Sequence, residues 1–304
     1  MGSMYGERRR ASITQMAHSC LASPQATIAV LSAHGLYTKK SLGQHFLVDD
    51  NVIGRIMALA GIGADDVVLE VGPGIGTLTV ALCSVSPRVV AVERDTALLP
   101  ALAQTTADCP TVPAIVNADA AKIDVAQIAE PFGPPTLLVA NLPYGVAATV
   151  TLRCFETMPT LRAATVMVQA EVAERMAAAP GCKDYGAYTV KLGLRARVAG
   201  RFAVARTSFL PPPRVDSAVI RLERVDRGLS EPMLEAVVVT VNAAFSQRRK
   251  TLRNTLRAGL SAPVEPLDAA LAAAGIDGGV RAETLSVENF ILLTEALRQA
   301  ELLG

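Results

Sequence analysis

Between Val67 and Leu222 the chain returns again and again to short, unbroken apolar runs. They are Val67-Val68-Leu69-Glu70-Val71, Val89-Val90-Ala91-Val92-Glu93, Val112 to Val116, Leu137 to Ala140, Ala164 to Gln169, Thr189 to Val198 and Ser217 to Leu222. Runs of this length, rich in β-branched residues and lacking polar alternation, suit strands buried on both faces. Most are separated by segments of helical character, which makes the strands parallel and the sheet covered on both sides. The last two runs have no obvious long helix between them and are expected to form an antiparallel edge. The expectation is therefore a doubly wound, seven-stranded α/β domain over residues 38–226.

Past Asp226 the strand signal stops. Glu231 to Phe245, Gln247 to Ala258, Val264 to Ala274 and Val287 to Leu303 all read as helices, with Ser286 as the N-cap of the last. Residues 227–304 are thus expected to form a small, all-helical domain behind a polar linker around Arg224 to Ser230. Residues 1–37 carry Arg8-Arg9-Arg10 but no clean apolar segment after it, so they do not read as a targeting signal. They are expected to be a poorly ordered N-terminal extension with a short helix around Gln25 to Ala33. The five cysteines are scattered, odd in number and without a C-x-x-C pair, which argues for reduced cytosolic thiols over a disulfide framework or a zinc site. No apolar run is long enough to span a bilayer. A cytoplasmic monomer is expected.

The first strand runs into Glu70-Val71-Gly72-Pro73-Gly74-Ile75-Gly76, and a helix opens at Thr77. Glycines there permit a tight turn and close approach of a ligand, and the helix start offers unpaired N–H groups. A nucleotide-type ligand follows. The third glycine of a dinucleotide pattern would fall at Thr77 or Thr79, and neither is Gly or Ala, which counts against a dinucleotide. Glu93 ends the second strand, where a carboxylate accepts from both ribose hydroxyls of NAD or of S-adenosylmethionine. Asp119 follows the third strand, where it can accept from an adenine amino group. Each carboxylate alone could equally be a helix cap or a solvated charge; three such features at successive strand ends point to a nucleotide cofactor.

Asn141-Leu142-Pro143-Tyr144 follows the fourth run, at the edge where open α/β sheets bind ligands. The amide and a backbone carbonyl can grip an exocyclic amino group, proline stiffens the loop, and the ring can stack on a base. Taken alone the stretch also reads as a tight turn. Lys39 to Asp49 leads into an amphipathic helix bearing Val52, Ile53, Ile56 and Met57, and no ligand cluster accompanies His45, so no metal is expected.

The net charge of +1 hides an uneven distribution. Arg248, Arg249, Lys250, Arg253 and Arg257 have no acid among them, and Arg249, Arg253 and Arg257 would form one stripe on a helix. Like charges at that spacing disfavour an isolated helix, so a polyanion is the better explanation. A second basic stretch runs through Lys191, Arg195, Arg197, Arg201, Arg206 and Arg214. Phe209 and the three prolines after it form a stiff loop suited either to shaping a target pocket or to packing.

Six motifs occur in order: Lys40-Ser41-Leu42-Gly43-Gln44-His45-Phe46-Leu47, the Glu70–Gly76 turn, Asn141–Tyr144, Gln169–Arg175, Phe209–Ser217 and Phe245–Leu252. Together they resemble the small-subunit ribosomal RNA adenine dimethyltransferases from about Tyr37 to the C-terminus. The resemblance implies a Rossmann-like class I methyltransferase sheet and S-adenosylmethionine as methyl donor. It implies that Gln44, His45 and Leu47 wrap the methionine end, that Gly72 and Gly74 lie beside the cofactor, that Glu93 holds the ribose and Asp119 the adenine, and that Asn141 touches cofactor and target. It makes Asn141, Leu142, Pro143 and Tyr144 the catalytic segment, and Arg248, Arg249, Lys250, Arg253 and Phe209 RNA-binding. His45 departs from the family pattern, where bacterial members usually carry Asn.

The implied reaction is N6-dimethylation of two adjacent adenosines near the 3′ end of 16S RNA, in the immature 30S subunit. A methyltransferase acting on the large subunit or on another nucleic-acid adenine shares the glycine turn and a similar Asn-Leu/Ile-Pro-Tyr/Phe segment. An NAD-dependent dehydrogenase would leave that segment without a role. An RNA-binding assembly factor with vestigial catalysis would not need Gly72, Glu93, Asp119 and Asn141 intact.

Overall fold

The computed structural model describes residues 18–36, 44–122 and 125–303. The part of the Lys40–Leu47 motif before Gln44 lies outside them. Helix α1 (Pro24–Ala33) begins the described chain, followed by the two-residue strand β1 (Phe46–Leu47) and α2 (Asp50–Ala60). The sheet then builds as β2 (Val68–Val71), α3 (Thr77–Val85), β3 (Val89–Glu93), α4 (Leu99–Thr106), β4 (Ala114–Asn117), α5 (Val125–Ala129), β5 (Leu137–Asn141), α6 (Ala147–Thr157) and β6 (Ala163–Gln169). Next come α7 (Ala170–Met176), α8 (Ala187–Gly193), β7 (Ala196–Val204), β8 (Phe209–Leu210) and β9 (Ser217–Arg224). Helices α9 (Glu231–Ala244), α10 (Leu252–Leu260), α11 (Val264–Ala273) and α12 (Val287–Gln299) complete the chain.

The strand order is β4-β3-β2-β5-β6-β9-β7, with β2 to β6 parallel and β9 antiparallel to both neighbours. The sheet therefore has the expected number of strands, seven, and the expected antiparallel edge. Alternation along the buried strands feeds two core layers. Leu69, Val71, Leu138 and Ala140 pack on one face with Phe155 of α6, while Val68, Leu137 and Val139 pack on the other with Ile53 of α2 and Leu82 of α3. The chain leaves β2 toward β3 on one side and later returns to β5 on the other. That reversal opens the crevice beyond the carboxyl ends of β2, β3 and β5, where a doubly wound sheet binds its ligand.

Three expectations need correcting. The Thr189–Val198 run is not one strand: α8 ends at Gly193 and β7 starts at Ala196. Val190 and Leu194 pack into the helical core while Leu192 faces the sheet core, an arrangement that a helix satisfies and that overrides β propensity. The helix expected from Gln247 starts only at Leu252, capped by Thr251 with extended backbone. The Ser246–Lys250 segment instead turns, its Lys250 N–H donating to the Gln247 carbonyl. Extending the helix back over this segment would set Arg249 one turn from Arg253, a like-charge i, i+4 pair that disfavours it. Finally, residues 18–36 of the extension are not loose, while the short helix expected around Gln25 to Ala33 is present: α1 is capped by Ser23, whose Oγ accepts from the Ala26 N–H, and buries Thr27 and Leu31.

An unforeseen element is a two-stranded ribbon in which β1 and β8 pair antiparallel, Phe46 with Leu210 and Leu47 with Phe209. The C-terminal helices enclose their own core around Val237, Leu252, Leu256, Phe290 and Leu293, which also takes in Tyr185, Val190 and Leu194. Ser286 caps α12 as expected, its hydroxyl accepting from the Asn289 N–H while the Asn289 side chain accepts from the Ser286 N–H.

Candidate functional site

One cavity of about 450 Å³ occupies the switch-point crevice, a size suited to a nucleotide-sized ligand. Its walls include Gln44, His45, Leu47, Gly72, Gly74, Glu93, Asp119 and the whole Asn141–Tyr144 segment, residues spread over a hundred positions of sequence.

The glycine turn forms the floor. Gly72, Gly74 and Gly76 all have positive φ, which L side chains rarely adopt. A Cβ on Gly72 would stand 3.2 Å from the Pro143 ring, and one on Gly76 would meet Thr105 Oγ1 at 2.9 Å. Gly72 thus lets the turn lie directly against the Asn141–Tyr144 loop, and Gly76 lets it close on α4. Glu93 is 6% exposed at the end of β3. Its carboxylate accepts from the Gly74 N–H at 3.1 Å and the Asp95 N–H at 2.8 Å, bracing the turn. Burial raises its pKa, opposed by N–H donors from Asp95, Gly74 and Arg94. Asp119 is tied to the same edge: the Asn117 amide and the Ala118 N–H both donate to the Glu93 carbonyl. Its own carboxylate accepts from the Ala121 N–H at 3.0 Å and stands 3.7 Å from Arg94.

Asn141 closes β5, and its amide donates to the His45 carbonyl at 3.4 Å. Leu142 is buried, its N–H donating to the Met167 carbonyl. The Tyr144 ring stacks on His45 (centroids 5.6 Å apart, planes at 29°), and its hydroxyl lies 2.7 Å from Ser217 Oγ. Burial raises the Tyr144 pKa, with the Ser217 bond opposing, so the phenol is neutral. His45 Nδ1 lies 2.8 Å from the Pro211 carbonyl. A carbonyl only accepts, so Nδ1 carries the proton and that donor is already engaged. The β1–β8 register delivers that contact, since pairing Phe46 with Leu210 sets His45 opposite Pro211.

Four contributors escaped the motif reading. Asp95 accepts from the Gln44 side chain at 3.1 Å, which links the lead-in to the ribose edge. Ser217 and Pro211 orient Tyr144 and His45. Glu70 stood inside the glycine motif without a role, yet it is 1% exposed, lines the cavity, and is raised by burial to about 8, with the Glu93 charge adding. Glu70 Oε2 and the hydroxyls of Thr77 and Thr79 are buried with no hydrogen-bond partner among the described residues. Sequence could flag Glu70 only by its oddity, an acid inside an apolar strand.

The RNA-binding expectations divide. Arg248, Arg249 and Lys250 are exposed on the turn before α10, so the proposed helical stripe with Arg253 and Arg257 does not form. Arg253 is paired with Asp268 at 2.7 Å. The second basic stretch is substantially neutralised: Arg195 pairs with Glu231, Arg197 with Glu223 and Arg206 with Asp216. Phe209 is 2% exposed and belongs to the sheet core, so it packs and does not meet a ligand directly. Among the described residues no group of three His, Cys, Asp or Glu side chains could hold a metal, and no helix is long and apolar enough to cross a membrane.

The described geometry agrees with known proteins. The chain is 42% identical over 287 residues to Ribosomal RNA small subunit methyltransferase A of Rhodococcus erythropolis, covering 92% of this chain and 95% of the relative. The protein of the same name from Lactiplantibacillus plantarum is 42% identical over 290 residues, covering 93% and 98%. Among solved structures, a dimethyladenosine transferase from Plasmodium falciparum superposes with a TM-score of 0.74 at 24% identity, covering 85% of this chain and 99% of that one. The 23S rRNA methyltransferase ErmE superposes at 0.62 with 30% identity, covering 84% and 100%. The sequence profile described as Ribosomal RNA adenine dimethylase matches residues 35–299, and the chain belongs to that family.

Proposed function

We propose that this protein transfers methyl groups from S-adenosylmethionine to the N6 atoms of two adjacent adenosines near the 3′ end of small-subunit ribosomal RNA, acting on the immature subunit. The observation that carries this is the packing of the glycine turn against Asn141-Leu142-Pro143-Tyr144, with Pro143 filling the space over Gly72. A nucleoside site and an amino-gripping segment thereby share one cavity. The small-subunit target is favoured by relatives of that name at 42% identity, against 30% for the large-subunit enzyme.

The residues present suit the cofactor. Glu93 offers its carboxylate to the ribose hydroxyls and Asp119 to the adenine amino group. The Gln44–Leu47 segment walls the methionine end, and Gly72 and Gly74 let the ligand lie against backbone. Glu70 Oε2 and Thr77 Oγ1, both buried without a partner among the described residues, supply polar atoms at the floor. When bound, S-adenosylmethionine supplies an electrophilic methyl on a sulfonium.

The target nitrogen is a weak nucleophile, because its lone pair is delocalised into the purine. The Asn141 Oδ1 and Leu142 carbonyl accept its N–H bonds and direct the lone pair out of the ring plane. Tyr144 stacks on the base held out of its helix, and Pro143 keeps the two acceptors at fixed spacing. Catalysis then rests on positioning and polarisation, with the released proton passing to water. Arg248, Arg249 and Lys250 take RNA phosphates. The protein acts as a monomer in the cytoplasm, its helical region 227–304 presenting that basic turn.

Incubation with labelled S-adenosylmethionine and undermethylated small subunits, followed by mapping of the modified nucleotides, tests the assignment. Two adjacent N6-dimethyladenosines near the 3′ end are expected; label confined to large-subunit RNA would overturn it. The Asn141→Ala variant is expected to lose transfer while retaining weakened, measurable cofactor binding.

A further inference from the structure

Helix α1 precedes the span that matches the family profile, yet its packing reaches the cofactor cavity. Leu31, 7% exposed, sits in one apolar cluster with Phe46 of β1, Ile75 of the glycine turn, and Leu98 and Ala101 at the start of α4. Phe46 and Leu98 also line the cavity. Ile75 is 0% exposed and lies between Gly74 and Gly76, so its position sets the curve of the turn. Phe46 meets the same turn from the other side, since a Cβ on Gly74 would stand 3.3 Å from its ring.

The segment is fastened at both ends. The His18 and Ser19 N–H groups donate to the two carboxylate oxygens of Asp50 at 3.0 and 2.9 Å, and Asp50 opens α2. The His18 ring lies over Gly54, where a Cβ would be only 2.5 Å from Nε2. At the far end His34 Nε2 stands 2.7 Å from Gln104 Oε1 on α4. The helix therefore bridges α2 and α4 and buries Leu31 in one cluster with Ile75 of the glycine turn and with Phe46 and Leu98, which line the cavity.

We propose that α1 is a positioning strap for the cofactor cavity, with Leu31 holding Phe46, Ile75 and Leu98 at the spacing the cofactor requires. This rests on the S-adenosylmethionine reading of the cavity. Leu31 touches no ligand and acts through the walls it supports. Loosening it should widen the crevice and weaken cofactor affinity, while the chemistry at Asn141 proceeds normally once the cavity is filled.

The test compares full-length Leu31→Ala with Ile28→Ala, a change on the same helix at a residue 51% exposed. Cofactor Kd is read by isothermal titration without RNA, and kcat and cofactor KM by methyl transfer to undermethylated small subunits. Leu31→Ala is expected to raise Kd and KM together by about tenfold, with kcat at saturating cofactor within about twofold of wild type. Leu31→Met should recover most of the affinity, and Ile28→Ala should match wild type. Unchanged Kd in Leu31→Ala beside a lowered melting temperature would show mere packing and overturn the proposal, as would a fall in kcat at unchanged Kd. Should Leu31→Ala fail to fold, Leu31→Val carries the same comparison. Failure of the wild-type protein to bind S-adenosylmethionine at all would instead remove the cofactor reading, and the strap proposal with it.

Discussion

Tyr144 carries two separable contacts, and replacing it with Phe or Ala separates them. Its hydroxyl meets Ser217 Oγ at 2.7 Å, and its ring stacks on His45 at 5.6 Å. Because burial keeps the phenol neutral, the first contact is an ordinary neutral hydrogen bond, contributing about 0.5–1.5 kcal/mol net. Tyr144→Phe removes only that anchor and keeps the ring, so kcat/KM for undermethylated subunits should fall by about 2- to 10-fold. Tyr144→Ala also removes the surface on which the target base stacks, and base–aromatic stacking adds about 1–3 kcal/mol. The combined loss of roughly 1.5–4.5 kcal/mol corresponds to about 10- to 10³-fold in kcat/KM. The assay is methyl transfer at saturating labelled cofactor over a range of subunit concentration, with cofactor Kd measured separately. Cofactor affinity should change far less than turnover in both variants. Equal losses for Phe and Ala, or a cofactor Kd that weakens as much as kcat/KM falls, would refute the stacking role.

Other outcomes follow from the same geometry. Replacing Arg248, Arg249 and Lys250 together by Gln should lower the slope of log affinity for ribosomal RNA against log salt by about 2–3, with melting temperature unchanged. Burial alone would raise the Asp66 carboxyl, but donors from Arg162, Gly63 and Thr136 outweigh it and hold the pKa at about 2 against the usual 3.8. Its ionised form then contributes stability that is fully present above about pH 4 and is lost as pH falls through about 2, amounting to about 2–3 kcal/mol. Denaturant melts should show Asp66→Asn destabilised by that amount at pH 7 and nearly level with wild type near pH 2. Glu70 behaves in the opposite sense, since burial lifts it to about 8. An unfolded chain ionises this carboxyl from about pH 4.5 while the folded one stays protonated, so stability falls between about pH 4.5 and 8. Glu70→Gln should flatten that fall in cofactor-free melts.

The parts of the site that were legible lie where local chemistry speaks for itself. Gly72, Gly74 and Gly76 announce backbone that only glycine adopts readily, and Glu93 and Asp119 stand at strand ends because apolar runs stop there. Asn141-Leu142-Pro143-Tyr144 stands out by composition, although taken alone it also reads as a tight turn and gains its meaning from the features upstream. The misreadings share a cause. Thr189 to Val198 looks like a strand by residue type, but Val190 and Leu194 are drawn into the helical core and Leu192 into the sheet core. Arg249, Arg253 and Arg257 have helical spacing on paper, yet the Ser246–Lys250 turn precedes the helix, and Asp268, fifteen residues beyond Arg253, neutralises that arginine. Phe209 looked available to RNA because nothing nearby in sequence shows that the sheet core covers it.

Taken by itself, the sequence determined the layered sheet, the glycine turn, the carboxylates at the strand ends and the amide–proline–aromatic segment, since each follows from periodicity or composition within a few residues. Only the tertiary structure decided how they meet. The β1–β8 ribbon sets His45 beside Pro211 and Tyr144, Gly72 accommodates Pro143, Glu93 braces Gly74, and Leu31 shares one apolar cluster with Phe46, Ile75 and Leu98. Such contacts join residues far apart in the chain. Their energy depends on burial and exclusion of water, which no single segment has until the whole chain is folded.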